Sequence, residues 1–191
     1  LKKTERVGVG LVGARGAIST CVAYGLAGLV EGLIGPVGLC TETEALRGLD
    51  LCALEDIVLG GCDVCTRSLT ESAAELEAQG VLSADLVTAA APRAAAYEAR
   101  IVPGLLDPAD GTPVSADPES ERLGSLPASE QVAFIAKELE AFREEAGVSR
   151  VIVVNLASSE AQREEQKSSA DTSSFAAALD ADPRMRVVSG N

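Results

Sequence analysis

Residues 7–17 read Val7-Gly8-Val9-Gly10-Leu11-Val12-Gly13-Ala14-Arg15-Gly16-Ala17, an apolar run that passes into a glycine-bounded turn. Beyond it Ile18, Cys21, Val22, Gly25, Leu26, Leu29 and Val30 recur at helical spacing, which predicts a helix with these residues as its apolar face. Strand, glycine turn and helix in that order bring backbone N–H groups and the positive end of a helix to one point. A pyrophosphate can approach there, where a Cβ would obstruct it, so the unit predicts a dinucleotide site. A G-x-G-x-x-G string also fits Gly8, Gly10 and Gly13, but that register puts the phosphate turn inside the extending strand. The turn therefore belongs at Gly13-Ala14-Arg15-Gly16. Arg15 holds the slot usually occupied by a glycine; it either donates to the phosphates or lies solvated beside the turn. A glycine-rich strand without any ligand is the alternative for the unit as a whole.

The 191 residues suffice for one well-buried domain, or one domain with an appendage. A formal charge of −13, 3% aromatic residues and no Trp argue against nucleic acid, which needs clustered Lys and Arg or stacking rings. The sequence has no His, so the commonest general base and metal ligand is missing. Cysteines stand at 21, 40, 52, 62 and 65; an odd number without a secreted-scaffold pattern reads as free thiols in a reducing cytosol. Cys62-Asp63-Val64-Cys65 with Cys40 and Cys52 makes only a poor zinc pattern, because 40 and 52 lack ligand-pair spacing. Lys2, Lys3 and Arg6 ahead of an apolar run imitate a signal peptide, but Arg15 interrupts that run and no cleavage pattern follows. No uninterrupted apolar stretch of about 20 residues is present to span a bilayer. The expectation is a soluble, cytoplasmic protein with no nucleic-acid or membrane partner and no metal.

Further along, residues 36–41 read as a short second strand, with Glu42 beyond it either accepting ribose hydroxyls or standing as an ordinary loop carboxylate. Residues 57–64 read as a third strand ending in the pair Gly60-Gly61, with Asp63 at its carboxyl edge, where ligands bind in open α/β sheets. Residues 71–97 favour helix, broken at Gly80. Residues 103–127, rich in Pro and Gly, read as one long loop. Ser129 is the expected N-cap of a helix carrying Val132, Ile135, Ala136, Leu139 and Phe142 on one face and closed by Gly147. The run 150–155 is β-branched, as in a parallel strand buried on both faces, and meets a polar cluster that includes Asn155, Ser158, Ser159 and Glu160. That junction is either a ligand edge or a plain Asn/Ser turn. Residues 161–170 are polar and expected to be mobile, 175–179 read as a short helix, and 186–188 as a candidate last strand. The fold class expected is α/β: one Rossmann-like, doubly wound domain over 1–191, mostly parallel, with helices on both faces.

Four segments, 11–17, 59–64, 153–160 and 174–179, resemble in order the landmarks of the myo-inositol phosphate synthase family, in its amino-terminal NAD-binding part. The turn Val12-Gly13-Ala14-Arg15-Gly16 is similar to that of the shorter bacterial members. The resemblance implies NAD as cofactor, with Gly13, Ala14, Arg15, Gly16 and Ala17 at the pyrophosphate, Asp63 by the adenosine ribose, and Asn155, Ser158 and Ser159 on the nicotinamide side. Thr172 and Ser173 fall near another contact of the family. It implies an isomerase that oxidises glucose 6-phosphate with bound NAD, cyclises the keto sugar by an aldol step and reduces the product, in inositol and phospholipid biosynthesis. A phosphosugar substrate and a homo-oligomer follow from the same likeness. Two departures stand out: Cys62 replaces a usual aromatic or His, and Ile18 and Ser19 replace later glycines of the turn. The lysines that serve the family's aldol chemistry belong to a second domain, expected beyond residue 191; neither Lys137 nor Lys167 takes their place, so no catalytic residue is assigned. A start at Leu1 adds to the expectation of a piece of a longer protein or a divergent copy. The rival readings are a non-catalytic dinucleotide-binding module and another NAD(P)-dependent oxidoreductase, although Tyr24 and Tyr97 lack a Tyr-x-x-x-Lys spacing.

Overall fold

The computed structural model describes residues 5–46, 48–107 and 115–157. Within them four strands, β1 (Val7–Val12), β2 (Ile57–Asp63), β3 (Ile101–Pro103) and β4 (Arg150–Asn155), form a parallel sheet in the order β3-β2-β1-β4. The helices are α1 (Ala17–Val30), α2 (Leu69–Ala78), α3 (Ala84–Glu98), α4 (Pro118–Gly124) and α5 (Ala128–Ala146). Leu11 and Leu59 pack with Ala23 of α1 and Tyr97 of α3, whereas Val58 packs with Phe142 and Ala146 of α5. Neighbouring strand residues point to opposite faces, so α1 and α3 cover one face and α5 the other. The doubly wound α/β class expected from sequence is the fold observed.

Glycines inside the strands serve packing. A Cβ at Gly8 would come within 2.9 Å of the Phe142 ring, and one at Gly60 within 2.7 Å, so β1 and β2 make room for a single aromatic side chain. The pair Gly60-Gly61 therefore does not end its strand as expected; β2 runs on through Asp63, and a Cβ at Gly61 would strike the backbone of Leu11.

Helix α1 is also rotated from expectation. Its buried residues are Ser19, Thr20, Ala23, Tyr24, Ala27 and Gly28, while Ile18 and Val22 are 61% and 38% exposed. Small side chains on the inner face permit close approach: a Cβ at Gly28 would lie 2.6 Å from Leu86 of α3. Periodicity alone could not separate the two faces, because this helix is apolar nearly all round.

The strand expected at 36–41 does not form. Pro36 lacks a donor, Gly38 has φ of +90°, Val37 is 96% exposed, and Cys40–Glu42 is a 3₁₀ turn with Glu42 on the surface. The place beside β1 belongs instead to β2, so Asp63 ends the second strand and not the third. Residues 103–127 are likewise not one loop. They include α4, where the Asp117 carboxylate accepts from the Glu119 N–H, Pro118 takes the first turn and Leu123 is buried. Helix α5 starts at Ala128, after Pro127, and not after a Ser129 cap; it closes at Gly147 with φ of +60°, and Gly80 between α2 and α3 has φ of +73°. Strand β4 pairs in parallel as expected but is not buried on both faces. Ile152, Val153 and Val154 are 49%, 48% and 37% exposed, since β4 is the sheet edge among the described residues.

Candidate functional site

The chain builds outward from β1 in one direction through β2 and β3, then returns to place β4 on the other flank of β1. Strand order thus reverses between β1 and β4, and a crevice at the carboxyl ends of such strands is where open α/β sheets bind ligands. The register brings Val12, Cys62 and Asn155 level, so the β1 turn, the β2 exit and the β4 exit meet at this edge.

The turn is held by bonds from distant elements. The N–H groups of Gly13 and Ala14 donate to the Cys62 carbonyl at 3.0 and 3.1 Å, Arg15 N–H to Asp63 Oδ2 at 2.7 Å, and Gly16 N–H to the Gly13 carbonyl at 3.1 Å. Its carbonyls are occupied as well. Gly13 O accepts from Ser19 Oγ, Ala14 O from the Tyr97 hydroxyl at 2.9 Å, Arg15 O from Ser72 Oγ at 3.0 Å, and Gly16 O from Thr20 N–H and Oγ1. Ser19, Thr20, Ser72 and Tyr97 are buried, so each hydroxyl satisfies a backbone carbonyl that the fold has taken from water.

What remains open is the first turn of α1. Among the described residues, no acceptor meets the N–H groups of Ala17, Ile18 and Ser19; Gly16 provides no side-chain cap, and the first turn carries no acid. Gly16, Ala17 and Ile18 are exposed. A helix start with free donors and inward-turned carbonyls carries positive potential toward the crevice and suits an anion. Gly13 is needed for a different reason: its φ is +81°, and a Cβ would sit 3.3 Å from the backbone of Leu156 and Ala157.

The Arg15 guanidinium folds back onto the β2–α2 connection, donating to the carbonyls of Thr66 at 3.2 Å and Arg67 at 3.1 Å, and lies 3.6 Å from Glu98. Asp63 is buried; besides Arg15 N–H its carboxylate accepts from Cys65 N–H at 2.8 Å. Burial, with the Asp63 charge second, pushes the Cys62 thiol up to about 11, so at neutral pH it is a protonated thiol and no nucleophile. Burial first, then Asp63 and Cys62, raise the Tyr97 phenol far above its usual range, which keeps it a hydrogen-bond donor to Ala14. Asn155 is exposed, and its Oδ1 accepts from Ala157 N–H at 3.0 Å. Ser158, Ser159, Thr172, Ser173 and Lys167 lie outside the described residues, as do the segments expected at 161–170, 175–179 and 186–188. Lys137 is on the exposed side of α5. Among the described residues no three His, Cys, Asp or Glu side chains group as metal ligands, and no helix is long and apolar enough to cross a membrane.

Sequence reasoning brought Gly13 to Ala17, Asp63 and Asn155 to one edge, and they meet there. It missed Ser19, Ser72 and Tyr97; the only signal in the sequence was a hydroxyl at a position where a helix buries its face.

The model of a family described as myo-inositol-1-phosphate synthase, for its NAD-binding domain, matches residues 7–189. An inositol-3-phosphate synthase structure from Caenorhabditis elegans superposes with a TM-score of 0.67 at 16% identity, covering 94% of this chain and 40% of that one. A myo-inositol-1-phosphate synthase-related protein from Thermotoga maritima gives 0.59 at 20% identity, covering 96% of this chain and 41% of that one. At these identities the likeness is one of fold, and the chain spans about two fifths of the length of either structure. No curated protein matches the chain.

Proposed function

The chain belongs to the myo-inositol-1-phosphate synthase family, and from that premise we propose that it binds NAD with the diphosphate on the exposed N–H groups of Ala17 and Ile18. Residues Gly13 to Gly16 form the scaffold that aims those donors. Asp63 stands on the adenosine side at the β2 exit, and Asn155, with Ser158 and Ser159, on the nicotinamide side. Thr172 and Ser173 supply a further contact. One observation carries the reading: every turn carbonyl is engaged inside the protein, while the exposed amides of Ala17 and Ile18 at the helix start meet no acceptor among the described residues, at the strand-order reversal. The groups fit a dinucleotide diphosphate, since donors without nearby acceptors are what two phosphates require.

When bound, the nicotinamide supplies a hydride acceptor and then a hydride donor. This chain's residues bind and orient it. In the longer protein the reaction is the conversion of glucose 6-phosphate to myo-inositol phosphate, in the cytoplasm and in a homo-oligomer.

Titration calorimetry with NAD, NADP and ATP on wild type and Ala17→Asp tests this. Ala17 is exposed at the first turn, so an acid there favours the helix dipole by roughly 0.3–1 kcal/mol while repelling a diphosphate. The expected result is a melting temperature unchanged or raised, with NAD affinity lowered at least about tenfold, the equivalent of ~1.4 kcal/mol. Binding of ATP without NAD, or NAD affinity untouched by Ala17→Asp, overturns the proposal.

A further inference from the structure

Resting on the cofactor reading above, we infer that Asp63 is a positioning residue, acting on the cofactor through the Arg15 peptide and not through the ribose hydroxyls. Its carboxylate is buried and both oxygens are in use, Oδ2 by Arg15 N–H at 2.7 Å and Oδ1 by Cys65 N–H at 2.8 Å. Arg15 is gripped from every side: its carbonyl accepts from the buried Ser72 hydroxyl, and its guanidinium donates to Thr66 and Arg67 carbonyls. Asp63 thereby ties two segments at once, the β1 turn through Arg15 and the β2–α2 connection through Cys65. An acidic residue at the end of a second parallel strand would ordinarily be read as a ribose ligand. Here its charge is already satisfied by two backbone donors, a short charge-assisted pair that orders the turn ahead of the ligand. The Arg15 N–H is withheld from the phosphates, and the next unbonded amides at the surface are those of Ala17 and Ile18.

The two roles separate in a ligand-by-residue cycle. ADP, 2′-deoxy-ADP and 3′-deoxy-ADP are titrated into wild type, Asp63→Asn and Ser72→Ala. Asn keeps one acceptor of the two, and the Ser72 hydroxyl donates to the Arg15 carbonyl. For a positioning residue, Asp63→Asn weakens all three ligands by the same factor, roughly tenfold to a hundredfold for a lost bond to a charged group. Ser72→Ala weakens all three by a smaller common factor. In the same samples the Arg15 amide proton moves upfield in Asp63→Asn and loses exchange protection, reporting loss of the tie to the turn. If the loss in Asp63→Asn disappears for either deoxy ligand, Asp63 is a ribose ligand and the inference fails; an unaltered Arg15 amide shows that Asp63 does not order the turn and overturns it as well. If Asp63→Asn does not fold, an unequal effect of Ser72→Ala across the three ligands overturns it alone. Absence of ADP and NAD binding by the wild type overturns the cofactor reading itself, which the coupled outcome leaves standing.

Discussion

The exits of β2 and β4 lie level on the two flanks of β1, yet they are built differently. At β2 the terminal carboxylate is buried and bonded to two amides, one of them in the turn of β1, and Tyr97 and Ser72 lock the same turn from α3 and α2. At β4 the terminal Asn155 is exposed and, among the described residues, its side chain bonds to Ala157, two residues on, while the strand before it leaves three aliphatic side chains more than a third exposed. One flank is a preorganised frame whose geometry is set before any ligand arrives. The other is, among the described residues, an edge strand with exposed side chains. A cofactor site spanning such a pair takes its rigidity from one side and its open polar groups from the other.

The largest break in this comparison is at the residue both flanks share. Gly13→Ala forces a side chain into φ of +81° against the backbone of Leu156 and Ala157, and is expected to cost roughly 1–3 kcal/mol in strain before crowding; urea denaturation measures it. Tyr97→Phe keeps the ring but leaves the buried Ala14 carbonyl without its donor, an expected loss of about 1–3 kcal/mol by the same measurement. Alkaline pH strikes the β2 side through Cys62, while burial also raises Cys21, Cys52 and Tyr24 elsewhere. Cys62 titrates near 9.0 unfolded and about 11 folded, so its contribution is complete below pH 9 and lost as pH rises toward 11, by at most ~1.4 kcal/mol per pH unit. Tyr97, also raised, extends the decline to higher pH. Denaturation midpoints between pH 8 and 11 should fall in wild type and fall less steeply in Cys62→Ser. The smallest effect is at β4: Asn155→Ala and Val153→Thr should each change stability by no more than about 0.5 kcal/mol. A loss at Val153→Thr as large as at the buried Val58→Thr would show that the two flanks are not as different as their exposure indicates.

Much of this was legible from local pattern. The apolar run into Gly13 placed β1 and its turn, Gly80 and Gly147 placed helix ends, and the β-branched run at 150–155 placed a parallel strand. The errors share a cause. The face of α1 was misjudged because Ile18 and Val22 look more apolar than Ser19 and Thr20, whose hydroxyls are buried only because turn carbonyls are there to accept from them. The glycine pair in β2 reads as a ligand approach because what fills the space, the Phe142 ring at Gly60 and the Leu11 backbone at Gly61, lies far away in sequence. Arg15 looked free to meet a phosphate because Thr66 and Arg67 are invisible from residue 15.

By itself the sequence determined the order of elements, the position of the turn and the parallel character of the sheet, since these follow from periodicity and from the few residues that tolerate a sharp bend. Only the tertiary structure decided which amides and carbonyls of the turn are spent and which amides are offered. Their partners stand 48, 57 and 83 residues away, at Asp63, Ser72 and Tyr97, and a hydrogen bond across such distances exists only once the sheet and its helices have closed.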